Sequence, residues 1–185
     1  MDNAMWAVGR MSGFVALALF TMTVLLGILT RSGRPLLAIP RFSVTLLHRN
    51  LSLLATVFLL LHVGTLLLDS YAQLNIVDVV VPFLGSFKPF WQGLGTVALD
   101  LVLALVVTGL LRHRIGQRAF RAVHWFSYAM WPIALGHAIG NGTNGGNGWF
   151  LAGASIAVLL LAAATAWRVS AAFLETSKVR QGGLS

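Results

Sequence analysis

The chain has no cysteine among its 185 residues. Disulfides, cysteine-held iron–sulfur clusters and thiolate zinc sites are therefore excluded. Charge is scarce as well: charged residues make up 10% of the chain, against about 25% in a soluble domain of this length. Only five residues are acidic, and no pair of them suggests acid–base chemistry. No serine, histidine and acid combination makes a credible hydrolase. What fills the chain is hydrocarbon: 57% of it is hydrophobic and its mean hydropathy is +0.82.

That hydrocarbon is organised in long runs. Residues 11–30, 42–68, 91–111, 122–139 and 149–167 are uncharged or nearly so, and about 18 or more such residues suffice to cross a hydrocarbon core of roughly 30 Å. The expected fold is all-α, a polytopic membrane bundle of about five transmembrane helices, with membrane lipid as its first partner. The first run lacks a basic leader and a small-x-small cleavage site, so it is expected to stay as a span and not to act as a removable signal. Residues 1–170 form the membrane domain on this reading, and residues 171–185 a short cytoplasmic tail.

The formal charge of +8 reports topology here, not nucleic-acid binding. Arg31, Arg34 and Arg41 follow the first span, Arg112, Arg114, Arg118 and Arg121 the third, and Arg168, Lys178 and Arg180 the fifth. Between spans two and three stand Asp69, Asp78 and a single Lys88, and the loop GNGTNGGNG between spans four and five has no charge. Basic loops belong in the cytoplasm, which predicts a multi-pass protein of the cell membrane with its N-terminus outside and its C-terminus inside. The glycine-rich loop has no lysine and no preceding strand, so it is a turn and not a phosphate cradle. Residues 71–90, interrupted by Pro82, Gly85 and Pro89, are too short to span and are expected at the outer interface, with Phe90 and Trp91 as anchors.

Four histidines lie inside this apolar frame: His48 and His62 in span two, His124 and His137 in span four. Both spans start in the cytoplasm, so they run parallel. Their histidines are separated by fourteen and thirteen residues, roughly 20 Å along a helix. Two layers of matching depth result, His48 with His124 and His62 with His137. A fourteen-residue step returns to within about 40° of the starting face, whereas a thirteen-residue step misses by about 140°. Pro132, between His124 and His137, is the expected source of the correction.

Paired neutral imidazoles at one depth suit an iron porphyrin with one axial nitrogen from each helix, and b-type haem needs no cysteine attachment. The alternative is plain interhelical hydrogen bonding. The fifth histidine, His113, stands among arginines and reads as a solvated surface residue.

With those spacings, the sequence resembles the ferric-reductase-like transmembrane domain family, which includes the membrane parts of NADPH oxidases and the haem subunit of methionine sulfoxide reductase systems. The resemblance runs from about Gly9 to Trp167. It is carried by GRMSG at residues 9–13, the H(x13)H of His48 and His62, WQGLGTVALDLVLALVVTGLLR at residues 91–112, and RAVHWFSYAMWPIALGHAIGNGTN. It implies two stacked b haems as metal-bound cofactors, an inner one on His48 and His124 and an outer one on His62 and His137. It also implies electron flow from a cytoplasmic-side donor to an extracytoplasmic acceptor, with Arg10 near the outer haem. Oxidases and eukaryotic ferric reductases of the family continue into a flavin and NADPH domain, and six-span members have one more helix. The sequence given has neither, so the expected reductant is a partner flavoprotein, a diffusible flavin or a quinol.

Asp100, near the middle of span three, is a functional candidate because intramembrane carboxylates are costly. It is expected to bond a ligand imidazole, bind a proton, or bond Ser127 or Tyr128. Arg49 and Arg121 are candidates for the propionates of the inner haem. Two rival readings stand beside the electron carrier: a quinol-linked cytochrome b anchor subunit, and a haem-free membrane scaffold or transporter.

Overall fold

A computed structural model of the chain describes residues 2–32, 40–70, 72, 74–171, 173 and 175. Arg34, Tyr71, Lys178, Arg180 and most of the tail expected over 171–185 lie outside the described residues. The described residues form seven helices: α1 (Asp2–Arg31), α2 (Arg41–Leu68), α3 (Ile76–Val80), α4 (Pro89–Leu110), α5 (Arg112–His124), α6 (Ser127–Asn141) and α7 (Gly148–Val169). Four of them, α1, α2, α4 and α7, are long and apolar enough to cross a membrane. Their apolar side chains, such as Val57 and Leu60 on α2 and Leu159 on α7, point largely outward. So much exposed hydrocarbon suits lipid and not water.

The fourth expected span is built differently from the others. It is divided between α5 and α6, and α6 alone, with 15 residues, is only about 22 Å long. The division falls at Trp125–Phe126. Around it the helix tightens: the N–H groups of Phe126, Tyr128 and Ala129 donate to the carbonyls three residues back, of Val123, Trp125 and Phe126. Such a turn holds about 3.0 residues instead of 3.6, adding about 20° of rotation per residue. That supplies much of the missing phase between His124 and His137. Pro132, expected to make the correction, instead lies inside a continuous α6, after the tightened turn that takes up the phase change.

Helices α1 and α2 pack antiparallel along their length, and α4 packs on α6. The backbones of α2 and α6 scarcely approach one another, so the two histidine-bearing helices face each other across side chains. Between the two histidine layers the core is closed by Phe20, Ala55, Val102, Met130 and Trp131, all buried. Trp131 Nε1–H donates to Thr21 Oγ1 at 2.9 Å, which ties α6 to α1.

At the end of the bundle where α4 begins, residues 74–90 fold back over that helix. Asn75 and Asp78 make a reciprocal capping box on the short α3, and Thr96 Oγ1 donates to the Asp78 carbonyl at 2.7 Å. Phe90 stacks on Phe83 and meets Trp91 edge-on. Lys88 Nζ donates to the Gly140 carbonyl at 2.9 Å, pinning the start of α4 to the end of α6.

Candidate functional site

The four intramembrane histidines come together in the two expected pairs. The ring centroids of His48 and His124 are 6.2 Å apart with their planes at 77°. Those of His62 and His137 are 6.4 Å apart at 79°. Two axial bonds of about 2 Å to one metal, plus about 1.1 Å from each nitrogen to its ring centre, require about 6 Å between centroids. Direct imidazole–imidazole hydrogen bonding, at about 2.9 Å between nitrogens, would bring the centroids to about 5.1 Å, closer than either pair, and the second ring nitrogen points the same way.

Three of the four rings hold that second nitrogen on a backbone carbonyl. His62 Nδ1–H donates to Gly9 O at 2.6 Å, His48 Nδ1–H to Thr23 O at 2.9 Å, and His137 Nδ1–H to Trp91 O at 2.8 Å. A carbonyl only accepts, so Nδ1 carries the proton and Nε2 keeps its lone pair in each ring. Neither His62 nor His137 then has an Nε2 proton to give the other, and a direct hydrogen bond between them fails. Two unprotonated nitrogens on rings 6.4 Å apart instead suit a metal, and the carbonyl acceptor orients each imidazole as outer contacts of ligating histidines do. His124 is the exception: its Nδ1 is buried without a partner. A porphyrin brings donor nitrogens of its own, so a pair of imidazoles is what it asks of the protein. The residues present therefore fit two bis-histidine haems.

What makes the carbonyls reachable was not read from the sequence, although a signal for it is there. Four residues after each acceptor stands a glycine: Gly13 after Gly9, Gly27 after Thr23, and Gly95 after Trp91. A Cβ on Gly13 would lie 2.8 Å from His62 Nδ1, one on Gly95 2.6 Å from two atoms of the His137 ring, and one on Gly27 3.3 Å from His48. Each ring thus lies in the notch a missing side chain leaves. Gly13 and Gly27 are separated by fourteen residues, as are His48 and His62 on the antiparallel α2, so both notches meet both rings. Gly95 and Gly109 repeat the step on α4. Gly109 has open space beside it, because His124 stands thirteen and not fourteen residues from His137.

Arg10 lies next to Gly9 at the outer pair, stacked 4.5 Å over the Trp6 ring, with its Nε buried and unpartnered. His113 is exposed and accepts from Arg112 Nε at 3.3 Å. Arg49 and Arg121 are both exposed, and Arg121 donates to the Gln117 carbonyl. Asp100 does not meet its expectation of bonding an imidazole, Ser127 or Tyr128. It is exposed on α4, since the face of α4 that meets α6 is taken by Gly95, Ala98, Leu99 and Val102.

The family model described as ferric reductase like transmembrane component matches residues 12–135, about two thirds of the chain. The match includes His48, His62 and His124 and stops two residues short of His137. No curated protein and no solved structure matches. Family match, apolar helices and all-helical architecture agree, and the chain belongs to the ferric-reductase-like transmembrane family, a haem-binding family of membrane electron-transfer components.

Proposed function

We propose that the protein carries electrons across the cell membrane through two b haems, an inner one held by His48 and His124 and an outer one held by His62 and His137. The observation that carries this reading is the pairing of rings at 6.2 and 6.4 Å, with three of the four Nδ1 protons committed to backbone carbonyls. When bound, the two haems supply the one-electron centres. The chain's own residues do the rest. Thr23, Gly9 and Trp91 carbonyls orient the imidazoles, and the layer of Phe20, Ala55, Val102, Met130 and Trp131 keeps water out between the rungs. Arg10, with a buried unpartnered Nε, is placed to meet a carboxylate at the outer rung.

Electrons enter on the cytoplasmic side from a flavoprotein, a diffusible flavin or a quinol, and leave to an acceptor outside. The arginines of α5 and of the ends of α1 and α7 support this orientation by the positive-inside rule. With the cell interior negative, outward transfer is favoured by about 2.3 kcal/mol per 100 mV.

A reduced-minus-oxidised spectrum of protein purified from haem-replete cells tests the reading. Sharp b-type bands at two haems per chain are expected, with low-spin ferric signals. A colourless preparation contradicts it and leaves the scaffold or transporter. Rapid reduction by a quinol, with none by reduced flavin, identifies the quinol-linked form.

A further inference from the structure

A second set of charges surrounds the inner histidine pair. Arg168, in the last turn of α7, keeps only 11% of its side chain exposed. Its Nε and Nη1 are buried and have no hydrogen-bond partner. The guanidinium lies 5.3 Å over the ring of Trp125, the residue after His124, and 5.4 Å over Phe173. A buried guanidinium with unanswered donors is expensive and calls for an anion. The carboxylate at hand is Glu175, whose Oε1 is 3.9 Å from Arg168 Nη2 and 3.7 Å from Arg31 Nη2. Both separations are too long for a hydrogen bond.

Three elements converge at this point. Glu175 makes a backbone bridge to Ser32, just past the end of α1, and Phe173 meets Trp167 of α7 edge-on at 4.9 Å. The Arg168 guanidinium, lying over Trp125, therefore faces the α5–α6 junction, where the inner rung is anchored, and Arg31 meets the same Glu175 carboxylate from the end of α1. Arg168 gives up its water for an incomplete contact with Glu175.

We propose that Arg168, with Arg31 beside it, binds a propionate of the inner haem, and that Glu175 is the protein's own carboxylate closing that site. The assignment rests on His48 and His124 being the inner haem's ligands. Haem propionate is the carboxylate that would arrive at this depth, and a planar guanidinium with Nε and Nη donors free matches it two bonds at a time. Arg49 and Arg121 are poorer claimants, being exposed. The site also gives the inner haem a local positive charge, which favours the reduced iron, with Glu175 offsetting part of it.

Redox titration of the full chain in lipid nanodiscs tests this, in a His137→Leu background that retains the inner haem alone. At the unsubstituted background's midpoint, Arg168→Gln is expected to lower the ferrous-to-ferric ratio roughly tenfold, as loss of one nearby positive charge does at an effective dielectric of about 20. Arg168→Lys keeps the charge and should hold the ratio within about threefold. Glu175→Gln should raise it. In a His124→Leu background, which retains the outer haem, Arg168→Gln should leave the ratio unmoved. An inner haem indifferent to Arg168→Gln, or an outer haem shifted equally, overturns the assignment. Should Arg168→Gln fail to accumulate, an unmoved ratio in Glu175→Gln overturns it as well. Absence of haem from the His137→Leu chain would instead defeat the reading of the rungs themselves.

Discussion

Gly13 and Gly95 matter because of what they omit. Each leaves a notch filled by an imidazole whose Nδ1 proton reaches a carbonyl one helical turn earlier, so an added methyl group and a ring would compete for one space. Gly13→Ala puts a Cβ 2.8 Å from His62 and Gly95→Ala puts one 2.6 Å from His137. Each is expected to lower occupancy of the outer haem at least several-fold, while Gly64→Ala, with nothing within 4 Å, leaves both haems. Haem per chain, measured by pyridine haemochrome, checks the three together. Asp100 is the opposite case, a carboxylate in a span that touches neither rung. Asp100→Asn should leave the haem spectrum and both midpoints unchanged, and loss of either haem would show that it does act on a ligand.

The helices differ in how plainly their residues announce them. Spans one, two, three and five were legible because uninterrupted hydrocarbon of sufficient length has few other uses. The α5–α6 junction was not, since Trp125 and Phe126 keep helical dihedrals and nothing in their identity marks a tightened turn. Pro132 drew attention only to the right neighbourhood. The histidine layers were legible from spacing, and the glycine steps that match them were equally available. Carbonyl acceptors were not, because every residue has one. Arg168 was legible as a topology marker only, its meeting with Trp125 depending on how α7 closes against α1. The junction has a consequence: His124 alone lacks an acceptor for Nδ1. Its ring is the least restrained of the four, so the inner haem should take up carbon monoxide on reduction before the outer one. Carbon monoxide difference spectra of the His62→Leu and His124→Leu chains separate the two, and faster uptake by the outer haem would contradict this.

As a whole the molecule is a thin bundle, with much of its apolar surface turned to lipid and its two rungs spaced along the membrane normal. The orientation proposed from the arginines is easy to test, because the sequence has no native cysteine. Asn144→Cys, in the loop before α7, should react with an impermeant maleimide added to intact cells. Gln117→Cys, among the arginines of α5, should react only after permeabilisation. The reverse pattern would turn the electron path inward. The two ends of the bundle differ in chemistry, with the arginines of α5 at one and α3, Phe83 and Phe90 at the other.

The most direct measurement of the central claim is haem content in four single variants, His48→Leu, His62→Leu, His124→Leu and His137→Leu. Each should lose one of two haems, His48 and His124 sharing one missing spectral component and His62 and His137 sharing the other. Two haems retained in any of the four, or the same component lost from His48→Leu and His62→Leu, would contradict the paired rungs.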